Sequence, residues 1–281
     1  MNAATDAVER LPDPEMVLSV DDPGGTDIIR AVPCVRLAGS VGRKEEDLVP
    51  VEEALVIRIN GQKAVEVTIT PREIGDFVLG HLVCQGFIRV ISDVRELNLG
   101  RGWAEVILEG DNSATGTATK PKKRILAEED MVGEGIDRLS ADLRVHPGAV
   151  REAVCAVQQS GPHTLTGGFH VCGLFVPSGS GIQPVSLCED IGRHAALDKA
   201  VGCALRLGFD LSRCFLATTG RISSEMVTKC RRAGVALIAS RGATTTLAAE
   251  VAEAAGIALV GFVRGERMNL YANDWRVIRE T

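Results

Sequence analysis

The sequence has few aromatic residues and no long apolar run. Phe, Trp and Tyr make up 4% of the 281 residues, whereas 45% of the chain is hydrophobic and 24% is charged. The core must therefore come from aliphatic side chains, which suits helices packed on sheets in a globular protein. No apolar stretch reaches the length of about 18 residues that crosses a bilayer. Because residues 1–22 lack the apolar centre of a signal peptide, we expect a cytoplasmic protein with no membrane partner.

An excess of positive charge is also missing. The formal net charge is −6, which disfavours non-specific attraction to nucleic acid or to anionic lipid. We therefore predict no nucleic-acid partner, and any site for an anionic ligand has to be built locally by a few arginines.

The cysteines form no C-x-x-C pair, and their spacing disfavours both a disulfide framework and a zinc site. Most of them lie in apolar runs, as reduced core cysteines do. The sequence therefore predicts no bound metal. The eight residues are Cys34, Cys84, Cys155, Cys172, Cys188, Cys203, Cys214 and Cys230.

The first half of the chain predicts a tail and a small domain. We place a flexible N-terminal tail at 1–30 and an α+β domain at 31–145. Asn60-Gly61 between two alternating runs predicts a hairpin over 54–70, followed by a helix over 72–88 and strands at 94–99 and 103–108. The Thr, Ser, Gly and Lys content of the next segment predicts a mobile loop at 110–135.

The second half, 146–281, has the regular alternation of an α/β domain. A helix is predicted over 147–159 and a strand pair over 169–176 and 184–188. The elements that follow are a helix at 194–207, a strand at 214–218, a helix at 224–233, a strand at 235–239, a helix at 246–255 and a strand at 257–263. The short connections favour a parallel sheet with right-handed crossovers.

Glycine stands beside arginine after each strand of this predicted sheet. In open α/β sheets ligands bind at the carboxyl ends of the strands, where glycine permits close approach and arginine offers two donors to a phosphate. We therefore predict that this edge binds a phosphate-rich ligand, with Glu189 and Asp190 holding the arginines and His194 neutral at a helix start. The candidate residues are Gly192, Arg193, His194, Thr219, Gly220, Arg221, Ser240, Arg241, Gly242, Arg264, Gly265, Glu266 and Arg267.

Several motifs in fixed order resemble those of the formate dehydrogenase accessory sulfurtransferase family. The resemblance covers about residues 50 to 273 of the chain. In the C-terminal half it rests on 166–170, 189–194 with 198–199, 219–227 and 261–265, and in the N-terminal half on 60–61, 71–72 and 79–88.

The resemblance implies a cytidine-deaminase-like, three-layer C-terminal domain and a homodimer. It also implies that the chain binds the molybdenum bis(molybdopterin guanine dinucleotide) cofactor, accepts sulfur as a persulfide from a cysteine desulfurase, and passes the sulfur to the cofactor before its insertion into formate dehydrogenase. The motif at 166–170 adds His170 to the candidate site. The cofactor segment of the family falls on Phe262, Val263, Arg264, Gly265, Glu266 and Arg267.

One departure from the family concerns the sulfur-carrying thiol. The family carries sulfur on a C-x-x-C pair in the loop after the short strands, whereas the corresponding stretch here, 124–133, has no cysteine and contains Glu128, Glu129 and Asp130. Cys172 shares a predicted strand face with His170 and is the candidate substitute. The chain is then either a sulfurtransferase with an unusual thiol or a cofactor-binding protein that has lost this step.

Two other functions compete with this one. A zinc deaminase needs H-x-E and P-C-x-x-C, but the matching helix begins His194-Ala195-Ala196. A partner-binding protein without enzymatic activity would use the acidic residues 128–130 as its docking surface.

Overall fold

The computed structural model describes residues 18–19, 27–109, 138–140 and 142–279, which form a mixed α/β fold. Most of the predicted tail and loop, with Glu128, Glu129 and Asp130, lie outside these residues. The strands are β1 (Leu18–Ser19), β2 (Ile29–Ala38), β3 (Val41–Pro50), β4 (Glu53–Ile59), β5 (Gln62–Ile69), β6 (Val94–Gly100), β7 (Trp103–Leu108), β8 (His170–Ser178), β9 (Gly181–Asp190), β10 (Phe215–Thr218), β11 (Leu237–Ser240), β12 (Ala258–Arg264) and β13 (Arg267–Ala272). The helices are α1 (Ile74–Gln85), α2 (Pro147–Gln158), α3 (Gly161–Thr166), α4 (Arg193–Arg206), α5 (Ser224–Ala233) and α6 (Thr246–Ala255).

The N-terminal part of the fold is a five-stranded sheet in the order β1-β6-β7-β4-β5. The hairpin of β4 and β5 turns at Asn60 and Gly61, which have φ angles of 50° and 77°. These positive angles are those of a type I′ turn, so the predicted hairpin is confirmed. Helix α1 and the strands β6 and β7 are confirmed as well, with α1 shorter than predicted.

The second sheet has six strands in the order β13-β12-β11-β10-β8-β9. Strands β10, β11 and β12 are parallel and joined by helices, as predicted. The parallel arrangement predicted for these three strands is confirmed, and the sheet is extended by β8 and β13, which run antiparallel to their neighbours. The turns of β8 to β9 and of β12 to β13 are too short for a crossover, so each pair forms a hairpin.

Helices cover both faces of the six-stranded sheet. Helix α2 packs on one face through residues such as Val150 and Val154, and α4, α5 and α6 pack on the other. Helix α1 packs against α4, and its buried side chains, including Phe77 and Leu82, join the same core as α4 and the five-stranded sheet. One hydrophobic core thus contains residues from both sides of position 145, the predicted domain boundary. The division into two domains remains a prediction. No helix among the described residues has the length and apolarity to cross a membrane.

Strands β2 and β3 form a separate two-stranded ribbon for which the sequence predicted no element. The two strands pair over their full length without a register shift, and a tight turn at Gly39 joins them. Most of the ribbon residues are exposed. Because an isolated hairpin is at best marginally stable in water, this ribbon is a feature that needs a partner surface.

Helices α1 and α4 cross in van der Waals contact at two glycines. A β-carbon built on Gly80 would lie 1.7 Å from the carbonyl oxygen of Asp198, and one on Gly202 would lie 1.9 Å from that of Asp76. These distances leave no room for any side chain, so the two backbones touch. The crossing fixes α4, and hence the loop before it, relative to the N-terminal sheet.

We predict that Gly80→Ala destabilises the protein by about 1–3 kcal/mol or more, since the extra methyl group forces two helices apart in a packed core. Gly75→Ala in the same helix is the matched control, because its β-carbon would lie 3.4 Å from Leu99 Cδ1. The control should change stability by no more than about 1 kcal/mol and in the stabilising direction, given the better helix propensity of alanine. Urea denaturation measures both, and equal losses in the two variants would contradict the close crossing.

Candidate functional site

Four strands of the six-stranded sheet end at one edge. Strands β10, β11 and β12 are parallel, and β9 runs in the same direction because β8 is antiparallel to both β9 and β10. Strand β8 begins at this edge, where His170 pairs with Asp190. The structure thus brings the starts of α4, α5 and α6 to the same side as the glycine-arginine turns.

Hydrogen bonds tie each turn at this edge to the next one. The hydroxyl of Thr218 accepts from the amide of Gly220 at 3.1 Å and donates to the carbonyl of Val171 at 3.1 Å. The hydroxyl of Ser240 donates to the carbonyl of Gly220 at 2.6 Å and accepts from the amide of Gly242 at 2.9 Å. The carbonyl of Gly242 in turn accepts from the amide of Phe262 at 3.0 Å. The turns after β10, β11 and β12 therefore form one connected frame.

Asp190, at the end of β9, is a buried anchor for this frame. Its carboxylate lies 2.8 Å from the Nζ of Lys199 and accepts from the amides of Thr70 and Gly192 at 3.0 and 2.9 Å. The side chains of Asp190 and Lys199 are both fully buried, and Lys199 also donates to the carbonyl of Thr70 at 3.0 Å. These contacts attach the edge to the N-terminal sheet through the residue that follows β5.

The prediction that Glu189 and Asp190 hold the arginines was wrong. Asp190 is occupied by Lys199 and by backbone amides. Glu189 accepts from the hydroxyl of Ser160 and from the amide of His163, at the start of α3. Both carboxylates therefore bind groups other than the arginine side chains of the edge.

Two helices begin at the edge without a side-chain cap. Neither Gly192 before α4 nor Ser223 before α5 provides a capping hydrogen bond to the helix. Among the described residues, Arg193 Nε, His194 Nδ1 and Ser223 Oγ are buried atoms with no hydrogen-bond partner. The free amides and the positive dipole end of a helix attract anions, and unpaired buried polar atoms are costly unless something binds them.

The two histidines at the edge favour the neutral form. Burial lowers the pKa of His170, and the guanidinium of Arg193 lowers it further. Burial also lowers the pKa of His194, against the opposing effect of Glu225, whose Oε2 lies 3.5 Å from His194 Nε2. The direction of the His194 shift agrees with the predicted neutral imidazole, which can accept as well as donate a hydrogen bond.

The arginine side chains at the edge make contacts with different parts of the fold. Arg193 lies against Gly220, where a built β-carbon would be 3.0 Å from the Cβ of Arg193. Arg241 donates to the side chain of Gln158 in α2 at 2.9 Å, and Arg264 stacks on the ring of Phe262 at 5.4 Å. Arg221 is exposed. Arg193 and Arg221 both lower the pKa of His170, which places their positive charges beside it.

The last residues of the predicted cofactor segment line a different space. Glu266 and Arg267 border an open cavity of about 660 Å³ together with His146 and Arg151 at the start of α2. Arg151 lies 3.4 Å from Glu266. Phe262 to Gly265 thus stay with the edge turns, whereas Glu266 and Arg267 belong to the turn into β13 on the side of α2.

Phe262 has a backbone conformation that is unusual for a large side chain. Its φ angle is 50°, and the register between β12 and β13 shifts at this point. A non-glycine residue in the left-handed region is strained, and such residues persist at sites where they present a group to a ligand. The ring is partly exposed, which offers a flat apolar surface next to Arg264.

Cys172, the candidate substitute for the family thiol, lies in the sheet. It is fully buried, and its thiol donates to the hydroxyl of Thr218 at 3.2 Å. Burial raises its pKa to about 12. A thiol that is protonated and out of reach disfavours the predicted role.

The described residues contain no group of three or more His, Cys, Asp or Glu side chains able to hold a metal ion. The position that an H-x-E zinc ligand would take is the start of α4, where His194 interacts with Glu225. The residues at this site therefore do not support a zinc deaminase.

Some residues of the site carried no signal in the sequence. Thr70 and Lys199 are separated by 129 positions, and their contact depends on how the two sheets pack. The strain at Phe262 is equally invisible in a run of apolar residues. Ser223 directly precedes the helix predicted at 224–233. Only the structure shows that its side chain makes no capping hydrogen bond.

Comparison with known proteins identifies a family that covers most of the chain. The model of the FdhD/NarQ family matches residues 50–278. A sulfur carrier protein FdhD from Anaeromyxobacter sp. (strain K) is 36% identical over 265 residues, covering 84% of this chain and 90% of that protein. One of the same name from Geobacillus kaustophilus is 30% identical over 251 residues, covering 84% and 92%.

A solved structure has a similar fold over nearly the whole chain. It is the crystal structure of a protein from Desulfotalea psychrophila provisionally described as a formate dehydrogenase accessory protein. The TM-score is 0.75 at 25% identity, and the match covers 90% of this chain and 100% of the other.

Proposed function

Because the chain belongs to the FdhD/NarQ family, we propose that it is an accessory protein of formate dehydrogenase that binds the molybdenum bis(molybdopterin guanine dinucleotide) cofactor as its cargo and carries sulfur to it. The cargo binds at the edge formed by the turns after β9 to β12. A cysteine desulfurase supplies the sulfur, and formate dehydrogenase receives the cofactor. These steps take place in the cytoplasm.

The observation that carries the cargo site is the set of unpaired buried atoms on two adjacent turns. Arg193 Nε, His194 Nδ1 and Ser223 Oγ lack partners at the place where α4 and α5 begin without side-chain caps. A phosphate accepts from all of these groups, and each charge-assisted hydrogen bond contributes about 1.5–3 kcal/mol. The pyrophosphate of a guanine dinucleotide satisfies the site.

The dimensions of the edge suit an extended ligand. Strands β9, β8, β10, β11 and β12 lie side by side, and at about 4.8 Å per strand the edge is about 19 Å wide. Gly242 is half-exposed, which leaves part of the turn after β11 accessible, and the partly exposed ring of Phe262 offers a stacking surface at one end. A dinucleotide can place its phosphates at the middle and its base near Phe262.

A cytidine-deaminase-like fold of the C-terminal domain belongs to the same proposal. Supporting it are the helices on both faces of a mixed sheet and the two helices, α4 and α5, that begin at one edge without a side-chain cap. The chain has His194-Ala195-Ala196 where a deaminase has H-x-E. On this account the edge holds a nucleotide without hydrolysing it.

A homodimer is the last part of the proposal, and the ribbon of β2 and β3 supports it. One face of the ribbon is apolar, with Val35 58% and Leu37 67% exposed. The other face is charged, with Arg36 2.6 Å from Glu45. The apolar residues of this face are Ile29, Ala31, Pro33, Val35, Leu37, Leu48 and Pro50, and Gly42, Lys44 and Glu46 lie on it as well.

A second copy of this chain is the occupant that fits the apolar face. Lys44 and Glu46 lie two positions apart on it, so a two-fold axis can set Lys44 of one copy against Glu46 of the other. Pro33 removes a donor from the free edge of β2, which disfavours pairing edge to edge and leaves the face as the contact surface.

The cargo site is tested by isothermal titration calorimetry with GDP. Wild type should bind, and Arg193→Ala should weaken binding by about tenfold or more, since about 1.4 kcal/mol of phosphate contact is lost. Arg213→Ala is the control, because Arg213 precedes β10 at the opposite end of that strand and should leave binding unchanged. Absence of GDP binding to wild type, or equal weakening of binding by both substitutions, would contradict the proposed cargo site.

The dimer contact is tested by light scattering after size exclusion. We expect wild type to be dimeric and Leu37→Asp to be monomeric, because a charge on the apolar face has to be desolvated in the interface. Val41→Asp is the matched control, since Val41 is 72% exposed but lies on the charged face. A monomeric wild type, or dissociation by Val41→Asp alone, contradicts this contact.

A further inference from the structure

The outer side of β13 is a strand edge that the proposed cargo site does not use. Strand β13 is the last strand of the six-stranded sheet, and none of the strands that the structure describes pairs with its outer side. Its six residues, Arg267–Ala272, include no proline, so each has a backbone donor as well as an acceptor. Because pairing with β12 occupies one side of the strand, the outer side keeps a row of backbone groups that another strand can bind.

A cavity of about 660 Å³ lies along this edge. It is bordered by four consecutive residues of β13, which are Arg267, Met268, Asn269 and Leu270. Successive residues of a strand point to opposite faces of the sheet, so a cavity that touches four in a row follows the backbone of the strand. The start of α2 and residues 277–279 complete the border, which makes the cavity a groove beside the strand.

Hydrogen bonds hold the other walls of the groove in place. The amide of Ile278 donates to the carbonyl of Val145 at 3.0 Å, and Val145 forms a parallel bridge with Val277. At the start of α2, the Nδ1 of His146 accepts from the amide of Gly148 at 3.0 Å. These contacts fix both walls relative to the sheet, so the groove is built by the fold.

Positive charge predominates around the groove, since three arginines and one glutamate border it. Arg151 lies 3.4 Å from Glu266, whose side chain is 86% exposed, and Arg279 pairs with Asp274. Exposed ion pairs of this kind contribute little, so these arginines remain available to another carboxylate. Arg267 is exposed, and its side chain has no partner within the part of the chain that the structure describes. In a chain with a net charge of −6, this local excess favours an acidic partner.

The groove also contains apolar surface. Met268 and Leu270 alternate with the polar residues of β13, are half-buried and pack against the core beside α2. Ile278, on another wall, is 43% exposed. A strand laid into the groove therefore meets apolar side chains on one of its faces and arginine on the other.

A charged residue on an edge strand also protects a sheet from aggregation, and Arg267 alone would serve that purpose. Protection requires neither a groove beside the strand nor apolar side chains along it. The combination of a free edge, a groove and clustered arginines is instead that of a surface which receives an added strand.

We propose that β13 and the groove beside it bind an extended acidic segment of a partner protein, which joins the six-stranded sheet as a further strand. The backbone of the segment pairs with the outer side of β13. Its carboxylates bind Arg267 and Arg151, and its apolar side chains contact Met268 and Leu270. The proposal does not depend on the cargo site, which lies at the turns after β9 to β12.

Fluorescence anisotropy tests the surface with a labelled peptide of six residues, the length of β13, in which glutamate and valine alternate. We expect the full chain to bind this peptide. Arg267→Glu should weaken binding by about tenfold or more, because repulsion replaces a charge-assisted contact. Arg213→Glu is the matched control, since it makes the same charge change just before β10. No binding to wild type, or equal weakening by both substitutions, overturns the proposal.

Strand pairing is tested with two forms of the same peptide, each methylated on one of the two alternate sets of amide nitrogens. One set of amides points at β13 and the other points away, so methylating the first set should abolish binding and methylating the second should leave it. Equal binding of the two methylated peptides would show attraction by charge without strand addition, which contradicts the proposal.

The same titration at saturating GDP separates this surface from the cargo site. The affinity for the peptide should stay unchanged, because the groove lies apart from the edge turns. Competition by GDP would assign the groove to the nucleotide and overturn the proposal. If the chain binds the peptide but no GDP, the cargo site fails and the strand-addition surface stands.

Discussion

The hydrogen bonds that join the turns at the carboxyl edge are the constraint on which the rest of the account depends. Ser240 connects the turn after β10 to the turn after β11, and the amide of Phe262 connects that turn to the end of β12. These bonds occupy the hydroxyl and carbonyl groups of the frame. Within the part of the chain that the structure describes, the buried atoms without partners at the starts of α4 and α5 are Arg193 Nε, His194 Nδ1 and Ser223 Oγ, and Asp198 Oδ1, one turn into α4, also lacks one. The groups at the two helix starts are mostly cationic or hydrogen-bonding, which supports the proposed anion site.

Contacts with the N-terminal part of the chain hold this edge in place. The crossing at Gly80 and Gly202 brings α1 against α4 without intervening side chains. The buried pair of Asp190 and Lys199 joins the end of β9 to the backbone after β5. A buried ion pair is weak evidence for stability, but loss of one partner is costly, so such a pair fixes geometry. The same packing of α1 on α4 sets Asp76 beside Arg206.

Local patterns predicted the order of elements in the C-terminal half, because glycine-arginine turns and helical periodicity are properties of short segments. The hairpin at Asn60-Gly61 was predictable from the sequence for the same reason. The antiparallel strand β13 was missed, since its pairing depends on a two-residue turn within a segment that resembled a ligand loop. The roles of Glu189 and Asp190 depend on strand and helix packing, which spacing along the chain does not encode.

The central claim is that the edge turns, and not the cavity beside α2, receive the phosphates of a guanine nucleotide. Amide hydrogen exchange with and without GDP tests it most directly, since the proposed ligand accepts from the amides themselves. The account predicts slower exchange in the turns at 192–194, 220–224, 241–245 and 262–265. Protection confined to the residues around His146 and Arg151, or no protection at saturating GDP, would contradict it.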